Sequence, residues 1–264
     1  MTADPPARAD AAPGAASPKP PALPQPQTMS LEVAEVSDLG PNLRQIRLRG
    51  QALQGFRHAP GQDLMLRLPL NATTLVSRRY TIRRADPKAG TVDLNVVMHG
   101  DGPAARWAVA ARPGQLLAEV VGPRGKITLA PEVAWHLFVG DETYIPGALA
   151  MLEALPSGSS GWAILEVGGP LDEQPIKSSS EAVLNWIHRG NTGPGDPLLL
   201  LERLRRWTFP RSPGQVYIAA ELRVAVALRD HLLASGLERE RVSAKGYWSL
   251  GRANASRGEP DDPK

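Results

Sequence analysis

The hydrophobic pattern of the chain changes period near Pro131, and few folds accommodate both halves. Upstream, LEVAEV (31–36), LRQIRL (43–48), DLMLRL (63–68), YTIRR (80–84) and TVDLNVVMH (91–99) are short alternating segments divided by Gly, Pro and Asp. Successive side chains of a strand point to opposite faces, so such alternation buries one face, as in a small antiparallel barrel. GPAARWAVAARPG (102–114) interrupts the strands with a predicted helix opened by Pro103 and stopped by RPG, and QLLAEVVG (115–122) resumes them. Downstream, AWHLFVG (134–140), GWAILEVGG (161–169) and QVYIAAE (215–221) are nearly continuous apolar runs, suited to parallel strands covered on both faces. IPGALAMLEAL, DPLLLLERLRRW and LRVAVALRDHLLASG lie between and after them with helical spacing. The prediction is an antiparallel β-barrel domain over residues 28–130 followed by a doubly wound α/β domain over 131–251, joined near Lys126 to Glu132.

The flanks are different in kind. Residues 1–27 are Pro, Ala and Gln with few large apolar side chains, and 252–264 form a second polar stretch, so both are expected to be disordered tails. Met29, where the periodic sequence begins, is the expected biological start. The N-terminal stretch has no apolar core of a secretory signal, and no apolar run approaches the ~20 residues that span a bilayer. A cytoplasmic location and no membrane insertion are therefore expected. Thirty Lys and Arg against 27 Asp and Glu leave a net charge of +3, which does not imply a nucleic-acid partner. With no cysteine, the chain has no disulfide, thiolate nucleophile or cysteine-ligated cluster, so any redox chemistry needs an added cofactor. Oligomeric state has no signature in the sequence.

Within the barrel half, SRRYTIRR (77–84) carries four arginines around one Tyr-Thr pair. Alone it reads as an edge strand protected from aggregation by charge. About twenty residues on, MHGDGPAARWA (98–108) leads through Gly100, Gly102 and Pro103 into the predicted helix, whose first N–H groups and positive dipole end point out of the turn. Alone that turn reads as an ordinary strand-to-helix connection. A cationic strand beside a helix start is a candidate diphosphate site. Trp107 reads as core packing in an Ala-rich helix.

In this order, on a barrel followed by an α/β unit, the two segments resemble the ferredoxin-reductase-like flavoproteins. HGDGPAARWA, GPRGK, FVGDETYIPGALAMLEALP and KGYWSLG more narrowly resemble the siderophore-interacting protein family of FAD-dependent ferric-siderophore reductases, over roughly Leu31 to Gly251. The resemblance implies FAD as cofactor, NADPH or NADH as electron donor and a ferric siderophore as substrate. It places Arg78 on the flavin phosphates, Tyr80 and Thr81 along the isoalloxazine and ribityl region, and Arg83 at a further cationic contact. His99, Gly100, Gly102, Ala104 and Ala105 would surround the pyrophosphate. Gly140, Asp141, Glu142 and Thr143 would face flavin and nicotinamide from the first α/β strand, joined by Glu221. Tyr247 and Trp248 are candidates for a flavin face or an aromatic siderophore, or for core packing, and Lys245 for a cation that draws in the chelate.

The chain departs from that pattern at Tyr144 and Gly147, where the family carries Ala, at Ala220 in place of Gly, and at Ser249 in place of Arg. Tyr144 and Ala220 keep open a non-catalytic ferric-siderophore-binding protein, and another FAD-dependent NAD(P)H oxidoreductase on the same scaffold is a further alternative. No side chain is assigned as acid, base or nucleophile, and no metal site is expected. His58, His136, His188 and His231 have no ligand spacing, and Asp172 and Glu173 are assigned no role.

Overall fold

The computed structural model describes residues 23–98, 102–130, 132–176 and 181–251. The alternating half forms six strands: β1 (Gln27–Asp38), β2 (Leu43–Arg49), β3 (Asp63–Pro69), β4 (Leu75–Asp86), β5 (Thr91–Val97) and β6 (Leu116–Arg124). They pair antiparallel in the order β1-β2-β5-β4-β3-β6 and close because β1 also pairs with β6. Every second residue turns inward, so Leu31, Ile46, Leu64, Leu66, Ile82 and Leu94 are fully buried in one apolar cluster. Helix α1 (Pro103–Ala110) packs Trp107 and Ala108 against that cluster.

The second half is a five-stranded parallel sheet of order β11-β10-β7-β8-β9: β7 (Trp135–Gly140), β8 (Ser160–Val167), β9 (Glu181–His188), β10 (Gly214–Glu221) and β11 (Val242–Trp248). Helix α2 (Ile145–Glu153) follows β7, while α3 (Leu198–Arg205) and α4 (Leu222–Ala234) flank β10 in sequence. One face buries Leu137, Val139, Val216 and Ile218 with Leu204 and Leu228; the other buries Phe138, Leu165 and Tyr217 with Leu149 and Leu152. Covered on both faces, β7 and β10 are buried at every residue, which is why their runs are continuously apolar.

The fold class matches the sequence expectation, and two elements differ. β1 begins at Gln27, four residues ahead of the alternating segment, and runs along β6. β9 is an edge strand whose EAVLNWIH mixes polar and apolar residues, so it lacks the signal of its buried neighbours. The expected tails, apart from residues 23–27, lie outside the described residues. Between the halves, the backbone N–H of Ala130 donates to the Tyr217 hydroxyl at 2.8 Å, and that oxygen lies 3.1 Å from Nδ1 of buried His136. Ile127 and Leu129 pack on the α2 side of the sheet.

Candidate functional site

The period of two along β4 divides its cationic run between two neighbours. Arg78 and Tyr80 pair with Leu66 and Leu64 of β3 and share their side of the strand. Tyr80 lies against Trp107 of α1, with ring centroids 6.4 Å apart. Arg78 is half-buried and its Nη1 donates to the Ser77 carbonyl at 2.7 Å; burial lowers its pKa from the ordinary value.

The odd-numbered residues face the α/β half. Arg79 donates from Nε and Nη2 to both oxygens of buried Asp63, at 2.8 and 2.7 Å. The Oγ1 of Thr81 lies 3.3 Å from the Tyr247 hydroxyl. Arg83 donates from both terminal nitrogens to Glu153 of α2, each at 2.7 Å, and Arg84, displaced by a register shift, reaches the same carboxylate at 3.1 Å. Arg83 therefore gives its fork to Glu153 and ties barrel to sheet. Tyr80 and Thr81, expected together along one ring system, point to opposite faces because they are sequence neighbours on a strand.

On the even-numbered side, α1 follows its N-cap Gly102, where a Cβ would meet no atom of the described residues within 4 Å. No side chain among the described residues caps this start. Ala104 is half-buried and Ala105 buried, and one turn in, the buried indole Nε1 of Trp107 has no hydrogen-bond partner among the described residues. His99 and Gly100 lie outside the described residues.

The strand ends of the α/β half carry carboxylates. Asp141, 3% exposed, accepts from the N–H and hydroxyl of Thr143 on one oxygen, and from the Glu221 N–H and Trp248 Nε1 on the other, both at 2.8 Å. Burial raises its pKa, and these four donors oppose that shift. Asp141 thus occupies the crevice between the ends of β7 and β10, where the strand order reverses and ligands usually enter such sheets. Glu221 caps α4 by accepting from the N–H groups of Arg223 and Val224, while its other oxygen accepts from Leu250 N–H. The Asp196 carboxylate accepts from Leu198 N–H at the start of α3. Asp141 and Glu221, expected at a cofactor, have side chains bonded within the protein, because buried carboxylates need donors that the strand ends and helix starts supply.

Glu142 is held by both terminal nitrogens of Arg189, which also lies 3.7 Å from Glu166. Burial lifts the Glu166 carboxyl to about 7, against the pull of Arg189. Gly140 is required by the sheet itself: a Cβ there would stand 2.0 Å from the Ala219 carbonyl oxygen. Lys245 Nζ is 3.7 Å from Asp63 Oδ2 and 5.4 Å from the Tyr247 ring centroid, so it belongs to the Asp63–Arg79 cluster. The partner acids Asp63 and Glu153 were not singled out from sequence, since nothing local marks a carboxylate whose arginine lies on another element.

Two family models match the chain: "Siderophore-interacting FAD-binding domain" over residues 69–127 and "Siderophore-interacting protein" over 133–251. The chain belongs to the siderophore-interacting protein family. An uncharacterized protein of Mycobacterium tuberculosis is 35% identical over 190 residues, which is 66% of this chain and 65% of that protein's length. The ferric vibriobactin reductase ViuB of Vibrio cholerae is 26% identical over 234 residues, covering 80% of this chain and 85% of that one. The crystal structure of a siderophore utilization protein from T. fusca superposes with a TM-score of 0.79 at 30% identity, over 88% of this chain and 97% of that one. Among the described residues no helix is long and apolar enough to cross a membrane, and no group of three or more His, Cys, Asp or Glu could hold a metal ion.

Proposed function

We propose that this siderophore-interacting protein is an FAD-dependent reductase that uses NADH or NADPH to reduce a ferric siderophore and release Fe(II). The observation that carries the reading is the contrast between helix starts. Asp196 and Glu221 accept from the first N–H groups of α3 and α4, and α2, which also lacks a side-chain cap, starts on buried residues; α1 follows the exposed Gly102 with no described side chain on its N–H groups and no described atom within 4 Å of a Cβ there. A helix start without a cap, on the Arg78–Tyr80 side of β4, has the charge and donors for a diphosphate. The residues present fit the dinucleotide: Arg78 supplies a cation, the backbone of Gly102, Ala104 and Ala105 supplies donors at a point where small side chains allow close approach, and Tyr80 supplies an aromatic surface backed by Trp107. His99 and Gly100 of the adjoining turn belong to the same proposed cradle.

Bound there, FAD supplies the exchange between a two-electron hydride donor and a one-electron metal acceptor. The chain's own part is to bind and orient. Arg79 and Lys245 gather around the carboxylate of Asp63 at the barrel–sheet junction, and this is where the reading brings an anionic chelate. Release follows from ligand hardness: siderophore oxygens hold Fe(III) more tightly than the larger, less charged Fe(II).

A second reading, a ferric-siderophore-binding protein without turnover, draws on the crevice between β7 and β10, where Asp141 takes the Glu221 N–H and Glu221 takes the first N–H groups of α4. One experiment separates the two. Purified protein is incubated with FAD, desalted, reduced anaerobically with NADH or NADPH, and mixed with ferric chelates in the presence of a ferrous-specific dye. The reductase reading expects retained flavin absorbance near ~450 nm, bleaching by a donor and appearance of Fe(II). Protein that retains no FAD sinks it; FAD-free protein that binds ferric chelates establishes the second reading.

A further inference from the structure

Tyr144, the bulkiest departure from the family pattern, does not stand in an open cleft. It is 2% exposed, in a tight turn between β7 and α2, with its hydroxyl 3.9 Å from Met151 Sδ. Its ring occupies space that two glycines leave. A Cβ on Gly147 would come within 3.0 Å of Tyr144 Cε2 and 3.1 Å of Cδ2, and one on Gly140 within 2.9 Å of Cδ1. The two departures at 144 and 147 are thus one change: loss of a methyl admits a ring.

The edge of that ring meets Tyr247, with centroids 5.9 Å apart and planes at 83°. Tyr247 in turn places its hydroxyl 3.3 Å from Thr81 of β4. The same β4 residue lies beside Gly147, whose Cβ would be 3.5 Å from Thr81 Cγ2. Tyr144, Tyr247 and Thr81 therefore form one continuous contact from the turn after β7 to the arginine strand of the barrel. An edge-on aromatic contact is directional, so the Tyr247 ring has its plane set from behind by Tyr144 and its hydroxyl set in front by Thr81.

We propose that Tyr144, admitted by Gly147, is a positioning residue that fixes the Tyr247 ring against Thr81 and so shapes the substrate-facing surface at the barrel–sheet junction. This rests on the reductase reading, in which Thr81 and Tyr247 adjoin the flavin and the chelate. Tyr144 acts through Tyr247 and touches neither reactant.

The test uses FAD-loaded full-length protein with Tyr144→Phe, Tyr144→Ala, Gly147→Ala and Tyr144→Ala/Gly147→Ala. Retaining the ring, Tyr144→Phe keeps the wild-type flavin spectrum and KM. Losing it, Tyr144→Ala shifts the flavin bands and raises KM for ferric chelate about 2- to 10-fold at similar kcat, the range of one aromatic edge contact. Gly147→Ala crowds the Tyr144 ring and also shifts the bands. The double variant restores packing volume without the ring, so it keeps the spectral and KM change of Tyr144→Ala while recovering thermal stability. It also serves should Tyr144→Ala fail to fold. Ring-deleted variants that retain the wild-type spectrum and KM overturn the inference alone. Wild-type protein that retains no FAD overturns the reductase reading, and this inference with it.

Discussion

The ion pair between Arg83 and Glu153 offers the sharpest separation of a ligand role from a structural one. Their side chains are 6% and 15% exposed, and two bonds of 2.7 Å join them across the barrel–sheet junction. Two unit charges with centres about 4 Å apart attract by about 4 kcal/mol at an effective dielectric near 20. Glu153→Gln removes one charge and leaves a buried guanidinium with a neutral partner, and breaking a buried pair from one side costs about 3–5 kcal/mol. Arg84, 47% exposed, adds little, because exposed pairs contribute at most about 1 kcal/mol. Replacing both partners by apolar residues, Arg83→Met/Glu153→Leu, removes the desolvation cost together with the attraction and is expected within about 1.5 kcal/mol of wild type. Urea unfolding followed by tryptophan fluorescence measures all three proteins, and flavin titration runs in parallel. The reasoning requires the single variant to lose much of its stability, the double variant to recover it, and FAD affinity in the double variant to stay within a factor of about 3 of wild type. A double variant that folds normally but cannot hold FAD would return Arg83 to a cationic contact with the cofactor and refute the assignment.

Arg78→Ala should weaken FAD binding about 10- to 100-fold, the worth of a charge-assisted hydrogen bond, with little change in the thermal midpoint of apo-protein; isothermal titration alongside thermal melts checks both. Buried His136 has its imidazole pushed down to about 4 from an ordinary value near 6.5, so the folded state binds fewer protons and about 3 kcal/mol of stability is lost as pH falls from ~6.5 through 4. Glu166 runs the opposite way: lifted to about 7 from 4.5, it contributes stability that is full below ~4.5 and is lost as pH rises through 7. The two slopes oppose each other between ~4.5 and 6.5, so Glu166→Gln should make stability climb steeply with pH across that window, and an unchanged pH profile in urea unfolding would contradict both assignments. Gly140→Ala sets a Cβ 2.0 Å from the Ala219 carbonyl oxygen, an overlap that β7 and β10 relieve only by moving apart; a loss of about 3 kcal/mol or more, or of soluble protein, is expected in expression and melting trials.

The features legible in the amino-acid pattern are local in origin. Alternation in LRQIRL or DLMLRL and continuity in AWHLFVG and QVYIAAE report which faces of a strand are buried, and that distinguishes a barrel from a parallel sheet before any partner is known. The same periodicity fails for β9, since an edge strand has no obligation to be apolar on both faces. The helix start at Gly102 was legible because glycine, proline and alanine there act on their own backbone. The pairing of the charges emerges from contacts between distant elements. Arg79 finds Asp63 sixteen residues away, Arg83 finds Glu153 seventy away, and Thr81 finds Tyr247 at a separation of 166. The compensation of Tyr144 by Gly147 is only three residues apart, yet it too was invisible, because two separate departures become one fit only when the turn's geometry lays the ring over the glycine. Periodicity is a property of the backbone's own repeat; the pairing of buried charges and rings depends on which elements folding brings together.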